Sequence, residues 1–291
     1  MTGRARGNLL LDYLSLTKPR IVFLLLVTAY ATMWVAARGS PPALLSLWTL
    51  LGGALAAGAA NAINCYLDRD VDAIMARTRK RPLPTGRLRP VSALWFGITL
   101  SAVAFLVLAA FVNLVTALLA VAGIVYYDAI YTAWLKRRTP QNIVIGGAAG
   151  AIAPLLGWAS VTGRVELPAI VLFLIIFLWT PPHFWSLALN QVQDYQRAGI
   201  PMLPVVFGER VTHRQILLYT VALALVTLLL YPFEVVGKVY LLTTLLLNGG
   251  LLFFALNLLI DPRRQSAWRL FHFSNFYLAL LFAALVVDRL A

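Results

Sequence analysis

The sequence predicts an all-α membrane protein of nine transmembrane helices forming a single domain over residues 1–291, and three observations carry that reading. Hydrophobic residues make up 61% of the chain and charged residues only 12%, where a soluble domain carries about 25% charged. Apolar stretches of the length that crosses a bilayer, roughly 17–25 residues, recur nine times. Lys and Arg are segregated: of 24 in the chain, twenty fall in alternate inter-span segments and four in the others.

The spans are read near 21–37, 43–64, 91–110, 112–134, 141–160, 167–189, 215–233, 239–260 and 269–288. Before the first span stand Arg4, Arg6, Lys18 and Arg20. Between the second and third lie Arg69, Arg77, Arg79, Lys80, Arg81, Arg87 and Arg89. A very short turn around Asn113 joins the third and fourth. Lys136, Arg137 and Arg138 follow the fourth, and Arg197, Arg210 and Arg214 follow the sixth. Arg263, Arg264 and Arg269 precede the last. The opposite loops hold only Arg38, Arg164, Lys238 and Arg289. The positive-inside rule then predicts a cytoplasmic N-terminus, and nine crossings predict a C-terminus outside. No cleavable signal is expected, because Pro19 and Arg20 lead straight into the first span.

The net charge of +13 fits loops at anionic lipid and an anionic substrate better than nucleic acid. The single cysteine, Cys65, excludes a disulfide framework and a Cys-based zinc site. No P-loop, dinucleotide fingerprint or zincin motif occurs.

Two long loops, about 65–90 and 190–214, carry the polar chemistry. In the first, Asn61, Asp68 and Asp72 lie within about 40° of one another on a helix, with Asn64 about 40° to the side and Asp70 opposite. Such hard oxygen donors suit Mg²⁺, which takes one or two carboxylates plus substrate phosphates. The run Arg77-Thr78-Arg79-Lys80-Arg81-Pro82 follows, and guanidinium forks match phosphate oxygens. The bland reading of that run is a solvated loop obeying the positive-inside rule. In the second loop His183, Asn190 and Asp194, spaced by 7 and 4, are expected on one helical face. Pro181 and Pro182 remove two backbone donors and are expected to kink the sixth helix just before His183. Both loops put an Asn four residues before an Asp and end in a proline-bearing turn, which points to an internal duplication with a site between the halves. Asp128, the acidic residue well inside a span, is expected to pair with Lys136 or a neighbouring helix. The glycine runs at 52–53 and 146–150 read as close helix packing or as room for a flat ligand.

These residues carry a family resemblance. Asn64-x-x-x-Asp68-x-x-x-Asp72 resembles the first aspartate-rich motif of the UbiA-type intramembrane prenyltransferases. Leu135–Gly147, Trp179-Thr180-Pro181-Pro182-His183-Phe184-Trp185 and Asp194 through Pro204 look most like the subfamily that farnesylates protohaem IX. The resemblance implies a nine-helix bundle around a central cavity in the cell membrane. It implies Mg²⁺-dependent transfer of a farnesyl group from farnesyl diphosphate to a vinyl group of haem B, giving haem O, with a haem A synthase as a downstream partner. Asn64, Asp68, Asp72 and Asp194 would hold the metal. Arg77, Arg79, Lys80, Arg81 and Lys136 would neutralise the diphosphate, and His183 would touch haem. Asn61 and Asn190 would support the ligands, and Tyr127 and Tyr131 would face the allylic cation. Many superfamily members have Asp in both places of the second motif. Asn190 departs from that pattern and puts a separate metal there in doubt. The alternatives are a prenyltransferase for a quinone-precursor ring or a chlorin, and a secondary transporter. Transport is disfavoured because the ionisable residues gather at helix ends rather than at the midplane.

Overall fold

The structure, a computed structural model, describes residues 8–290; Arg4 and Arg6 of the N-terminal basic segment lie outside them. The described residues form helices and turns without a strand. Nine of the helices are long and apolar enough to cross a membrane: α1 Pro19–Ala36, α2 Ala43–Leu67, α3 Pro90–Phe111, α4 Leu114–Leu135, α5 Asn142–Thr162, α6 Leu167–Leu189, α7 Gly208–Leu228, α8 Lys238–Ile260 and α9 Arg264–Val287. Their outer faces are apolar: Leu246 is 78% exposed and Ile260 81%. Only a lipid solvent makes such a surface inexpensive.

Seven of the nine spans match the sequence reading closely. The other two start earlier than hydropathy indicates, at Gly208 and Arg264. Their first turns carry Glu209, Arg210, Arg214, Arg264 and Arg269, which end an apolar window without ending a hydrogen-bonded helix. At its far end α7 stops at Leu228, just short of Pro232, which cannot continue a helix ladder. A short helix unread in the sequence, Leu9–Leu16, precedes α1; the Asn8 side chain accepts from the Leu10 amide at 3.1 Å and caps it.

The helical run of α6 is not interrupted at the proline pair. The helix runs from Leu167 to Leu189 with Pro181 and Pro182 inside it. Both rings are buried, so packing against neighbouring helices carries the segment past two missing ladder bonds.

Apolar packing divides the bundle into two lobes. One cluster joins α2, α3 and α4 with Leu156 of α5 through Ala56, Ala59, Ala104, Leu108, Ala117 and Ala120. A larger one joins α5 to α9 and takes in Ala31 and Val35 of α1. Glycine sets the closest crossing: a Cβ on Gly157 of α5 would overlap the carbonyl of Ala29 on α1. Gly150, two turns earlier in the same helix, has nothing within 4 Å of such a Cβ, so α5 provides both close packing and open space along its length.

Gly157→Ala is therefore expected to lower the apparent melting temperature in detergent, as overpacking by about 1–3 kcal/mol does. Gly150→Ala should leave it within the error of the measurement. Equal effects would contradict the assigned α1–α5 crossing.

Candidate active site

The helices alternate in direction, so the start of α1 and the ends of α2, α4 and α6 lie at one side of the bundle. Four elements meet there around Asp68. α2 ends at Leu67, Asp68 has φ −90° and ψ 4°, and a short helix Arg69–Ile74 follows. The Asp72 amide still donates to the Asp68 carbonyl at 2.8 Å. That bond preserves the helical phase across the junction, and Asp68 and Asp72 are buried while Asp70 is exposed, as the sequence reading expected.

Asp68 is held by a network. Lys136 Nζ meets Asp68 Oδ2 at 2.6 Å. Asn64 Nδ2 donates to the same oxygen and to Thr132 Oγ1, both at 2.9 Å. Lys18 Nζ donates to Asn64 Oδ1 at 2.7 Å. Lys18 lies immediately before α1 in the left-handed conformation, φ 52°, with Pro19 opening the helix behind it. Burial holds its ammonium below the ordinary lysine value; the nearby Arg81 and Lys136 charges act the same way, and Cys65 and Asp68 oppose them. Asp68 Oδ1 is buried and has no hydrogen-bond partner.

One turn on, Arg81 Nη1 pairs with Asp72 Oδ2 at 2.7 Å. Burial lowers the Arg81 pKa, but the adjoining Asp72 carboxylate outweighs it and the net shift is upward. Thr78 Oγ1 donates to the Asp72 carbonyl at 3.0 Å and fastens the basic run to the short helix. Arg77, Arg79 and Lys80 are exposed and stand in no ion pair among the described residues. Asp70 pairs outward with Arg137 at 2.7 Å, and that hydrogen bond brings its pKa down to about 2. The pair's contribution is thus present above an ordinary aspartate pKa and is lost as the pH falls towards 2. Because both side chains are substantially exposed, the contribution is small.

Other expected site residues take different places. Asn61 donates to the Thr17 carbonyl at 3.1 Å, so it fastens the turn that carries Lys18 and does not join the carboxylates. His183, Asn190 and Asp194 do not share one helix face. α6 ends at Leu189, Asn190 caps it, and Gln191 (φ −127°, ψ 22°) turns the chain into the short helix Val192–Arg197. Asp194 pairs with Arg197 at 2.5 Å. Among the described residues no three His, Cys, Asp or Glu side chains converge as a metal-ligand group. The turn instead presents two buried amide oxygens without partners, Asn190 Oδ1 and Gln191 Oε1. Asp128 does not pair with Lys136, which is taken by Asp68; both Asp128 carboxylate oxygens are buried and unpartnered.

The two long loops nonetheless come together. Val71 and Met75 from the first belong to the same apolar cluster as Tyr195, Ile200, Met202 and Leu203 from the second. Burial raises the Tyr195 phenol, while the charges of Arg77 and Lys136 are near enough to pull it down. Tyr127 and Tyr131 stack with centroids 5.6 Å apart on a π-helical stretch, Tyr126–Leu135.

His183 lies six residues before the end of α6, roughly 9 Å up the helix. Its ring is stacked between Trp179 (4.2 Å, 16°) and Phe271 (4.7 Å, 25°). Its Nδ1 is 2.8 Å from Ser274 Oγ on α9. Lys18, Thr132, Gln191 and Ser274 were not among the expected site residues. Lys18, Thr132 and Ser274 are ordinary locally and gain their roles from partners far along the chain, and Gln191 from the turn that buries its oxygen.

A helical membrane bundle whose span ends gather buried carboxylates, lysines and a free basic run has the makings of an intramembrane enzyme for polyanionic substrates. The model of the UbiA prenyltransferase family matches residues 25–281, and the chain belongs to that family as a multi-pass membrane protein. It is 55% identical to the protoheme IX farnesyltransferase of Symbiobacterium thermophilum over 97% of this chain and 95% of that protein. The same enzyme of Gloeobacter violaceus is also 55% identical, over 95% and 91%. Among solved structures, a digeranylgeranylglyceryl phosphate synthase shares the fold at TM-score 0.81 and 19% identity, covering 96% of this chain and 98% of its own. A UbiA homologue from Archaeoglobus fulgidus bound to DMAPP and Mg²⁺ shares it at TM-score 0.64 and 19% identity, covering 95% and 99%.

Asp68→Ala and Asp72→Ala are expected to abolish turnover in protein that still inserts and purifies, with Asp70→Ala much milder. An Asp70 variant as inactive as its neighbours would contradict the outward placement of that side chain. Asp128→Leu removes two unpaired buried oxygens, each costing about 1–3 kcal/mol. It is expected to raise the apparent melting temperature; a lowered one would mean that the carboxylate has a partner.

Proposed function

We propose that this chain transfers a farnesyl group from farnesyl diphosphate to a vinyl group of haem B, giving haem O. The observation that carries the reading is the 55% identity, over nearly the full length of both chains, to relatives named for that activity. The geometry fits it. The diphosphate end needs concentrated positive charge, and the acceptor needs a site one step deeper in the bundle.

The donor set around Asp68 fits Mg²⁺. The buried, unpartnered Asp68 Oδ1 is a hard oxygen without a proton donor, and Asp72 follows one turn on. Asp68 and Asp72 would hold the ion together with diphosphate oxygens and water. Asn64 contributes by positioning, since its oxygen already accepts from Lys18. Asp194, across the second loop, would approach only through the substrate. The ion, when bound, offsets the charge of the diphosphate and of the departing oxygen.

Lys136 and Arg81 neutralise the carboxylates in the free protein, and Arg77, Arg79 and Lys80 remain free for phosphate oxygens. Together they favour charge building on the leaving diphosphate. As the allylic C–O bond breaks, Tyr127 and Tyr131 offer aromatic faces to the developing cation. The vinyl π-bond forms the new C–C bond. Water then adds to the cation left on the porphyrin side chain and loses one proton, which balances the reaction against released diphosphate.

Purified protein given haem B, farnesyl diphosphate and Mg²⁺ is expected to yield a product with the mass of haem O, and chelation of the metal should stop it. Turnover of a quinone-precursor ring with no haem product would overturn the acceptor. The proposal also puts the motif loops on the cytoplasmic side of the cell membrane and the C-terminus outside. A reporter fused after Ala291 is expected to read non-cytoplasmic; a cytoplasmic signal would contradict that orientation. His183→Ala should shift or remove the Soret band of bound haem and leave farnesyl diphosphate affinity nearly unchanged. An unaltered spectrum would remove His183 from the acceptor site.

A further inference from the structure

We infer that Ser274 is the positioning residue of the acceptor site: it fixes the tautomer and the ring orientation of His183, leaving Nε2 with its lone pair directed away from the α6–α9 contact. The inference rests on the reading that His183 meets haem.

The argument begins with one proton. A serine hydroxyl has a single hydrogen to donate and lone pairs with which to accept. Ser274 Oγ is 2.7 Å from the Phe271 carbonyl and 2.8 Å from His183 Nδ1. The Phe271 carbonyl, which also accepts from Asn275 Nδ2 at 2.9 Å, can only accept, and we assign the hydroxyl proton to it as the nearer of the two partners. The oxygen then accepts from His183, and Nδ1 carries the proton. In a neutral imidazole the other nitrogen is left unprotonated, and Nε2 has no hydrogen-bond partner among the described residues. This is the form in which histidine ligates iron or any other metal.

Orientation is fixed by the same residue and its surroundings. Trp179 and Phe271 lie against opposite faces of the His183 ring at interplanar angles of 16° and 25°. Trp179 Nε1 donates to the Ser274 carbonyl at 2.8 Å. Ser274 thus holds the imidazole with its hydroxyl and one wall of the stack with its backbone. A half-turn of the ring would place a carbon opposite Ser274 Oγ and lose the Nδ1 bond. For an imidazole held in this way, the hydrogen bond to the distal nitrogen commonly accounts for 10–100-fold in metal affinity.

A bond that merely joined α6 to α9 would matter for stability alone, so the test reads ligation. Detergent-purified wild type, His183→Ala, Ser274→Ala, Ser274→Cys and Ser274→Thr are titrated with haem B and followed by the Soret band, with melting temperature and farnesyl diphosphate affinity measured on each. Ser274→Ala is expected to weaken haem binding by roughly 10–100-fold and to shift the Soret band towards that of His183→Ala. Its farnesyl diphosphate affinity should be unchanged. Ser274→Thr, which keeps the hydroxyl, should restore the wild-type spectrum. If the alanine variant does not fold, Ser274→Cys, with a weakly accepting sulfur, is expected to show the same loss. A Ser274→Ala or Ser274→Cys spectrum and affinity equal to wild type, with His183→Ala altered, would overturn the role of Ser274 alone. Wild-type spectra in all variants, His183→Ala included, would overturn the underlying reading of His183.

Discussion

Within a bilayer-spanning bundle a charge must bring its compensation with it, and the contact of Lys136 with Asp68 is where the site meets that condition. An uncompensated ion inside a protein costs several kcal/mol even after relaxation. Asp68 is 1% exposed, so the Lys136 ammonium at 2.6 Å takes the place of water around it. The rest follows from the pair. Asn64 bridges Asp68 to Thr132, which ties α2 to α4. Lys18 reaches Asn64, which ties in α1 and requires the left-handed backbone before Pro19. Asn61 then fastens the Thr17 carbonyl. Three helices are registered against one another by one carboxylate, and a second positive group is stored beside it.

The spans were legible because hydropathy is a property of contiguous residues and lipid imposes it uniformly. Helix ends were less so: the charged first turn of α7, Gly208 to Arg214, looks like loop by composition and is helix by hydrogen bonding. The acid ladder could be read because Asp68 and Asp72 are four residues apart and the junction keeps the α-helical phase. Its cations could not be assigned. Lys18 and Lys136 are separated from Asn64 and Asp68 by 46 and 68 residues, and nothing local marks one lysine among many as the partner. The second motif failed for a different reason. A spacing of 7 and 4 implies one face only if the helix continues, and the turn at Asn190-Gln191 has neither glycine nor proline to announce it. In α6 the proline pair removes two ladder donors without ending the helix, because neighbours bury both rings.

Both lobes use the same device at the ends that carry the long loops: a spanning helix, a turn, and a short helix bearing an aspartate. In the first lobe the turn preserves phase and delivers two buried carboxylates. In the second it does not, and delivers the unpartnered oxygens of Asn190 and Gln191 while Asp194 turns to Arg197. The chemistry of the two ends is therefore unequal. The first concentrates charge. The second offers neutral acceptors, which suit water or a hydrated ligand better than a second bare cation.

The π-helical stretch of α4, Tyr126–Leu135, shows how residues of one helix are brought to the Asp68 network. Its i→i+5 geometry is visible in the Lys136 amide donating to the Tyr131 carbonyl at 2.8 Å and in Thr132 Oγ1 donating to the Tyr127 carbonyl at 2.8 Å. Such stretches are rare and gather at functional sites, because widening the helix changes which residues share a face. Here it stacks Tyr127 on Tyr131 and puts Thr132 and Lys136 at the Asp68 network. Tyr131 in turn rests on Gly146, where any side chain would collide with the ring. Gly147, next along, lies against Thr180 of α6, one turn before His183. A continuous line of contact thus runs from the carboxylate end through α4 and the glycines of α5 to the helix that carries the imidazole. Gly146 and Gly147 are the two places along it where a single methyl group would meet its neighbours too closely.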